Sequence, residues 1–161
     1  MSTIQAGDRM PAVTLHMMSE GGIKPITTDE LFAGKTVVLF SVPGAFTPTC
    51  SAQHLPGFVA HVDDFAAKGV DAVACVAVND PFVMATWGAS AGADGQVLMI
   101  SDGNGALAAA TGTEMDGSQV GLGTRSQRYA MVVKDGVVEQ MFLEEPGAFQ
   151  VSSAENVLAH L

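Results

Sequence analysis

From Val70 to Val78 the chain is apolar at every position but Asp71. A stretch of that kind fits a parallel strand covered on both faces, because a strand with one wet face alternates instead. Thr36-Val37-Val38-Leu39-Phe40-Ser41-Val42 is a second, β-branched apolar run and predicts another buried strand. A helical stretch from about Pro48 to Lys68 lies between them, with Val59, Val62 and Phe65 at helical spacing. Pro56 predicts a kink in it, and Gly69 stands where a left-handed residue closes a helix. Strand, helix, strand in this order requires a crossover and parallel neighbours.

The second half adds the opposite pairing. Asn79-Asp80-Pro81 reads as an N-cap with proline at the first helical position, opening a helix to about Ala91. Val97–Ile100 predicts a strand and Ala106–Ala110 a short helix. Tyr129–Val133 and Val137–Leu143 flank Asp135-Gly136, a strong hairpin signal whose strands must be antiparallel. Ser152-x-x-Glu155 reads as a capping box before a last helix with Val157, Leu158 and Leu161 apolar. The expected fold is an α/β sandwich with a mixed central sheet flanked by helices, and a thioredoxin-like arrangement satisfies both pairings. With no repeat or linker in 161 residues, 1–161 is read as one domain.

Charge and composition exclude several function classes. A formal net charge of −10 argues against nucleic acid and anionic membrane surfaces as partners, since both need a basic footprint. No stretch approaches the roughly 18 apolar residues of a membrane span, and the start of the chain lacks the pattern of a signal peptide. Two cysteines are too few for a disulfide scaffold. The four histidines are scattered, with no zinc-ligand spacing, so no metal or other cofactor is expected. His54 and His61 are about 10 Å apart along a helix and read as solvent-facing. The free thiols and the absent leader point to the cytoplasm.

The segment richest in chemistry is Pro43-Gly44-Ala45-Phe46-Thr47-Pro48-Thr49-Cys50. Pro48 at the first helical position makes Thr47 the N-cap and puts Cys50 in the first turn. Free N–H groups and the positive end of the helix dipole then favour the thiolate, which is the nucleophile. A free cysteine is often a small buried hydrophobe. Here, however, threonines and Ser51 surround it, at the C-terminal end of a strand where α/β proteins place sites. Threonine replaces the first cysteine of a C-x-x-C motif, which excludes disulfide exchange within it. Its hydroxyl is instead expected to hydrogen-bond the thiolate and an oxygen of the substrate. Polarising an attacked and a leaving oxygen calls for a fixed cation with several donors. Arg9, Arg125 and Arg128 are the arginines available, and spacing leaves Arg125 and Arg128 both open.

Pro43-x-x-x-Thr47-x-x-Cys50 resembles the signature of the peroxiredoxins, and the PGAFTPTC…HLPGF run is similar to their type II branch, nearest its plant-type members. The similarity extends over nearly the whole chain. It implies a thiol-dependent peroxidase in which Cys50 reduces hydrogen peroxide and alkyl hydroperoxides through a sulfenic acid. Thr47 and Arg128 would be its polar partners, and Pro43 and Gly44 would shape the pocket. Phe46 and the Gly117–Gly123 loop are expected to border an apolar entrance. The resemblance also implies a homodimer. The reductant would be glutaredoxin with glutathione, or thioredoxin. One branch carries a resolving cysteine where this chain has Val151, which closes that route. Plant-type members have a second cysteine at the place of Cys75, a candidate resolver here although it lies mid-strand. A slow redox sensor built on Cys50 is the competing reading.

Overall fold

The computed structural model describes residues 2–161; Met1, which begins both the expected domain and the expected leader-free N-terminus, lies outside them. The elements in chain order are β1 (Thr14–Ser19), β2 (Gly22–Thr27), α1 (Thr28–Phe32), β3 (Thr36–Ser41), α2 (Leu55–Ala60), α3 (Val62–Ala67), β4 (Ala72–Ala77) and α4 (Pro81–Ser90). Then follow β5 (Leu98–Ser101), α5 (Ala106–Thr111), β6 (Glu114–Asp116), β7 (Thr124–Ser126), β8 (Tyr129–Lys134), β9 (Val137–Leu143) and α6 (Ala154–Ala159). Seven strands form one sheet in the order β2-β1-β5-β4-β3-β8-β9, and β6 pairs with β7 apart from it. β3, β4 and β5 are mutually parallel, while β8 runs antiparallel to both β3 and β9. The mixed sheet flanked by helices is therefore the expected thioredoxin-like one.

The alternation of strand side chains separates two core layers. Val38, Phe40, Cys75, Ala77, Ala130 and Val132 face a layer that also holds Cys50, Phe58, Phe65 and Trp87. Val37, Leu39, Ala74, Val76, Tyr129 and Met131 face the other. Phe40 stacks on Phe58 with ring centroids 4.1 Å apart, and Phe58 on Phe65 at 5.6 Å. These stacks fix the helices after β3 against the sheet, and so fix the turn that carries Cys50.

Local signals held where the chemistry is local. Asp135 and Gly136 both take positive φ, +49° and +80°, as a two-residue hairpin of this hand requires. Gly69 closes α3 at φ +87°, its N–H bonding Ala66 O while Val70 N–H bonds Phe65 O. Asp80 caps α4 by accepting from Val83 N–H at 2.9 Å.

Three expectations need correction. The helix drawn from Pro48 to Lys68 is not continuous: it contains a wide turn over Cys50–His54 and breaks again at His61, φ −110°. In the wide turn Leu55 N–H reaches back five residues to Cys50 O, just ahead of Pro56, which has no N–H to give. The capping box at Ser152 does not form; Ser153 is the N-cap and accepts from Asn156 N–H at 3.2 Å. Ser152 is buried and turned toward Glu144 instead. Finally, the β1–β2 hairpin and the β6–β7 pair had no counterpart in the sequence reading.

Candidate active site

The site begins where β3 ends. Thr47 O accepts Ser51 N–H at 2.9 Å, the first helical bond, so Thr47 is the N-cap and Cys50 sits in the first turn. The Thr47 hydroxyl donates its one proton to Gly44 O at 2.7 Å. It therefore donates nothing to the Cys50 sulfur, contrary to expectation, and its oxygen is left as an acceptor. Ala45 N–H donates to Asn79 Oδ1 at 2.9 Å, tying the loop to the segment that follows β4. Phe46 completes the loop at φ +65°, a left-handed conformation that side chains other than glycine adopt at a cost.

Arg128, immediately before β8, supplies the cation. Its Nη2 donates to Cys50 Sγ at 3.0 Å, and its Nη1 donates to His54 Nδ1 at 2.8 Å. On the far side of the ring, His54 Nε2 lies 3.0 Å from Ser152 O. A carbonyl only accepts, so the network puts the proton on Nε2 and leaves Nδ1 to receive from the guanidinium. The neutral ring that results holds the arginine fork in line with the sulfur. Arg125 takes a different place: its Nε donates to Leu122 O at 2.9 Å and its Nη1 to Pro43 O at 3.3 Å. The geometry thus separates the two arginines that spacing could not. A Cβ at Gly44 would stand 2.8 Å from Arg125 Nη1 and 3.2 Å from Thr47 Cγ2, so a side chain here would push the arginine off Pro43.

His54 corrects the sequence reading outright, for it is fully buried rather than solvent-facing. Burial drives its pKa down to about 3, with the positive charge of Arg128 pushing the same way and the Ser152 hydrogen bond opposing. The unfolded chain takes up this proton below about pH 6.5 and the folded chain does not. His54 therefore removes no stability above pH 6.5 and removes it progressively as pH falls from there toward 3, on the order of 5 kcal/mol over the full interval. Denaturant midpoints measured at pH 7 and pH 4.5 test this. A His54→Gln variant should lose less stability on acidification than the wild type, and equal losses would refute the assignment.

Glu144 and the loop after it close the site from the C-terminal side. One oxygen of Glu144, Oε2, accepts from Gln150 N–H (2.8 Å), Ser152 N–H (2.8 Å) and Ser152 Oγ (2.7 Å). This pins residues 144–152 so that the Phe149 ring lies 5.8 Å from Arg128 Cζ and 5.0 Å from the His54 ring. On the other side, Trp87 Nε1 donates to Ser51 Oγ at 3.0 Å and the Phe46 ring lies 6.4 Å from the indole. Cys50 itself has no exposed surface.

A cleft of about 430 Å³ opens beside it, walled by Pro43, Thr49, Met115, Gln127, Arg128 and the 144–148 segment, with Glu114 among its lining. Phe46 and the Gly117–Gly123 loop are not part of this wall: Phe46 turns to Trp87, and the loop folds back on itself through Gly117 N–H to Gly123 O at 2.7 Å. Cys75 lies in the same core layer as Cys50 but mid-strand, in register with Phe40 and Met99, and is wholly buried. Burial pushes its thiol up, the nearby Cys50 charge adds to this, and Arg128 opposes it.

The sequence reading missed His54, Glu144 and Phe149 as parts of the site. Only a polar residue four positions after Cys50, on the same helical face, could have signalled His54.

The chain that places a cysteine in a helical first turn, with an arginine donor on its sulfur, is similar to known proteins over nearly its whole length. The Redoxin family profile matches residues 5–158. Peroxiredoxin-2E-2, chloroplastic, of Oryza sativa subsp. japonica is 53% identical over 166 residues, covering 100% of this chain and 74% of that protein. Peroxiredoxin-2B of Arabidopsis thaliana is 41% identical over 162 residues and is covered end to end, as is this chain. The crystal structure of reduced Prx3 from Vibrio vulnificus in complex with hydrogen peroxide superimposes with a TM-score of 0.95 at 48% identity, covering 98% of this chain and 99% of that one. Sequence and fold agree, and the chain belongs to the peroxiredoxin family of thiol-dependent peroxidases.

Proposed function

We propose that Cys50 is the peroxidatic residue of this peroxiredoxin, with Thr47 and Arg128 acting directly on the peroxide and Pro43 and Gly44 shaping the approach. The observation that carries the reading is the 3.0 Å contact from Arg128 Nη2 to Cys50 Sγ, which sets a charged donor on the reacting atom. The thiolate attacks the terminal oxygen of the hydroperoxide; a sulfur–oxygen bond forms as the oxygen–oxygen bond breaks. Cys50 becomes a sulfenic acid, and the departing alkoxide or hydroxide takes a proton from water. The guanidinium donors stabilise charge on the oxygens, and the free acceptor of Thr47 Oγ orients the peroxide O–H.

Regeneration is read as the work of an external thiol, glutaredoxin with glutathione or thioredoxin. An internal resolving thiol attacks as the thiolate, and burial disfavours that form at Cys75. A homodimer is supported by the exposed side chains of Phe46, Phe82 and Val120. One domain over 1–161 is supported by the family match to 5–158 and by the seven-stranded sheet that spans the chain. A reducing compartment, read as the cytoplasm, is supported by the two free thiols. The relatives from rice and Arabidopsis named as chloroplastic leave a plastid as the other setting.

Intact mass after one equivalent of hydrogen peroxide tests the cycle on the wild type and on Cys75→Ser. Gain of one oxygen by both supports Cys50 and an external reductant. Loss of two hydrogens by the wild type alone would make Cys75 the resolving residue.

A further inference from the structure

The cleft beside Cys50 is far larger than hydrogen peroxide needs. A water molecule occupies about 30 Å³ of liquid, and hydrogen peroxide is only slightly bigger, against a cleft of about 430 Å³. Space of that size takes an organic hydroperoxide, and Pro43, Met115, Pro146 and Ala148 give it apolar walls. The charges around it are uneven. Glu114, Glu144 and Glu145 all line the cleft, and Arg128 is the one cation among its lining residues. The guanidinium is already committed, through Nη2 to the Cys50 sulfur and through Nη1 to His54. His54 brings no charge to offset the carboxylates, since its ring is held neutral. Glu114 and Glu145 are exposed at the rim, whereas Glu144 is buried with its Oε2 taken by the 150–152 backbone and Ser152. The chain as a whole carries −10, so the wider field points the same way.

We propose that this cleft selects neutral or cationic organic hydroperoxides and disfavours those bearing a carboxylate, through the field of Glu114, Glu144 and Glu145. The inference rests on the peroxidase reading of Cys50 given above. Each unit charge several ångströms from the ligand contributes modestly in a wet cleft, and three acting together make the discrimination on the order of tenfold. Because Glu114 and Glu145 are solvated, much of the effect disappears once the screening length falls to about 3 Å in 1 M salt.

The test uses the full chain and three probes of one shape: cumene hydroperoxide, its para-carboxylate and its para-trimethylammonium derivative. Second-order rate constants for Cys50 oxidation are measured by quenched-flow thiol counting at low and at high salt, with hydrogen peroxide run alongside. The carboxylate probe should react about tenfold more slowly than the neutral one at low salt. The trimethylammonium probe should be at least as fast as the neutral one, and the spread should narrow at high salt. In a Glu114→Gln/Glu145→Gln variant the carboxylate-to-neutral ratio should rise toward one. Rapid reaction with hydrogen peroxide together with equal rates for all three probes overturns the selectivity alone. A carboxylate penalty that ignores both salt and the double substitution overturns it as well, because that penalty would be steric. Failure of hydrogen peroxide to oxidise Cys50 overturns the peroxidase reading and this inference with it.

Discussion

Replacing Cys50 by serine is expected to lower kcat/KM for hydrogen peroxide by about ten-thousand-fold or more. A serine hydroxyl stays protonated near neutrality and is a poor nucleophile toward oxygen, so neither dipole nor guanidinium can restore the reaction. The fold should tolerate the change. Arg128 Nη2, 3.0 Å from the sulfur, finds a hydroxyl oxygen in its place, so the buried group keeps a partner. Peroxide consumption with a dithiol reductant reads the first effect and a thermal melt the second. A variant that keeps its melting temperature and more than about a hundredth of its activity would move the chemistry away from Cys50.

Arg128→Met is the second large effect, expected at about a hundred- to a thousand-fold in kcat/KM. Methionine keeps much of the length and loses both donors, leaving the sulfur and His54 Nδ1 without their 3.0 and 2.8 Å partners. Arg128→Lys should recover little. One ammonium is a point charge on a flexible stem and cannot reproduce a rigid fork that serves two acceptors at once. Arg125→Lys provides the contrast, since Arg125 braces Pro43 and Leu122 through carbonyl contacts and does not reach the sulfur. Loss of activity at 125 that matched the loss at 128 would mean that bracing the loop, rather than charge on the sulfur, sets the rate.

What the sequence made legible was whatever its neighbours in the chain decide. β3, β4, the Asp135-Gly136 turn, the Gly69 closure and the Asp80-Pro81 helix start can all be read from residues within a few positions of one another. The Cys50 turn is of the same kind, with Pro48 and Thr47 fixing its start. His54 was hidden because its state depends on Arg128 and Ser152, which are 74 and 98 positions away. Its spacing from Cys50 was legible as a shared helical face, but its burial was not. The register of the last cap was hidden for a related reason. Ser152 and Ser153 are adjacent and chemically alike, and Glu144 decides between them by taking the first. The β1–β2 hairpin escaped because Pro25 sits in β2, and proline marks a segment as non-strand except at a sheet edge, which is where β2 lies.

The Trp87–Ser51 hydrogen bond has an optical consequence. The chain has a single tryptophan, so its tryptophan emission has one source, and that source is fastened to the residue that follows Cys50. Cys50 has no exposed surface, so a protein thiol of the kind proposed above would meet it only after local opening of the first turn, which would part Ser51 from Trp87. The indole then exchanges a hydroxyl partner and a dry setting for water. A shift in Trp87 emission during turnover is therefore the expected mark of that opening, and unchanged emission would mean that the first turn stays in place.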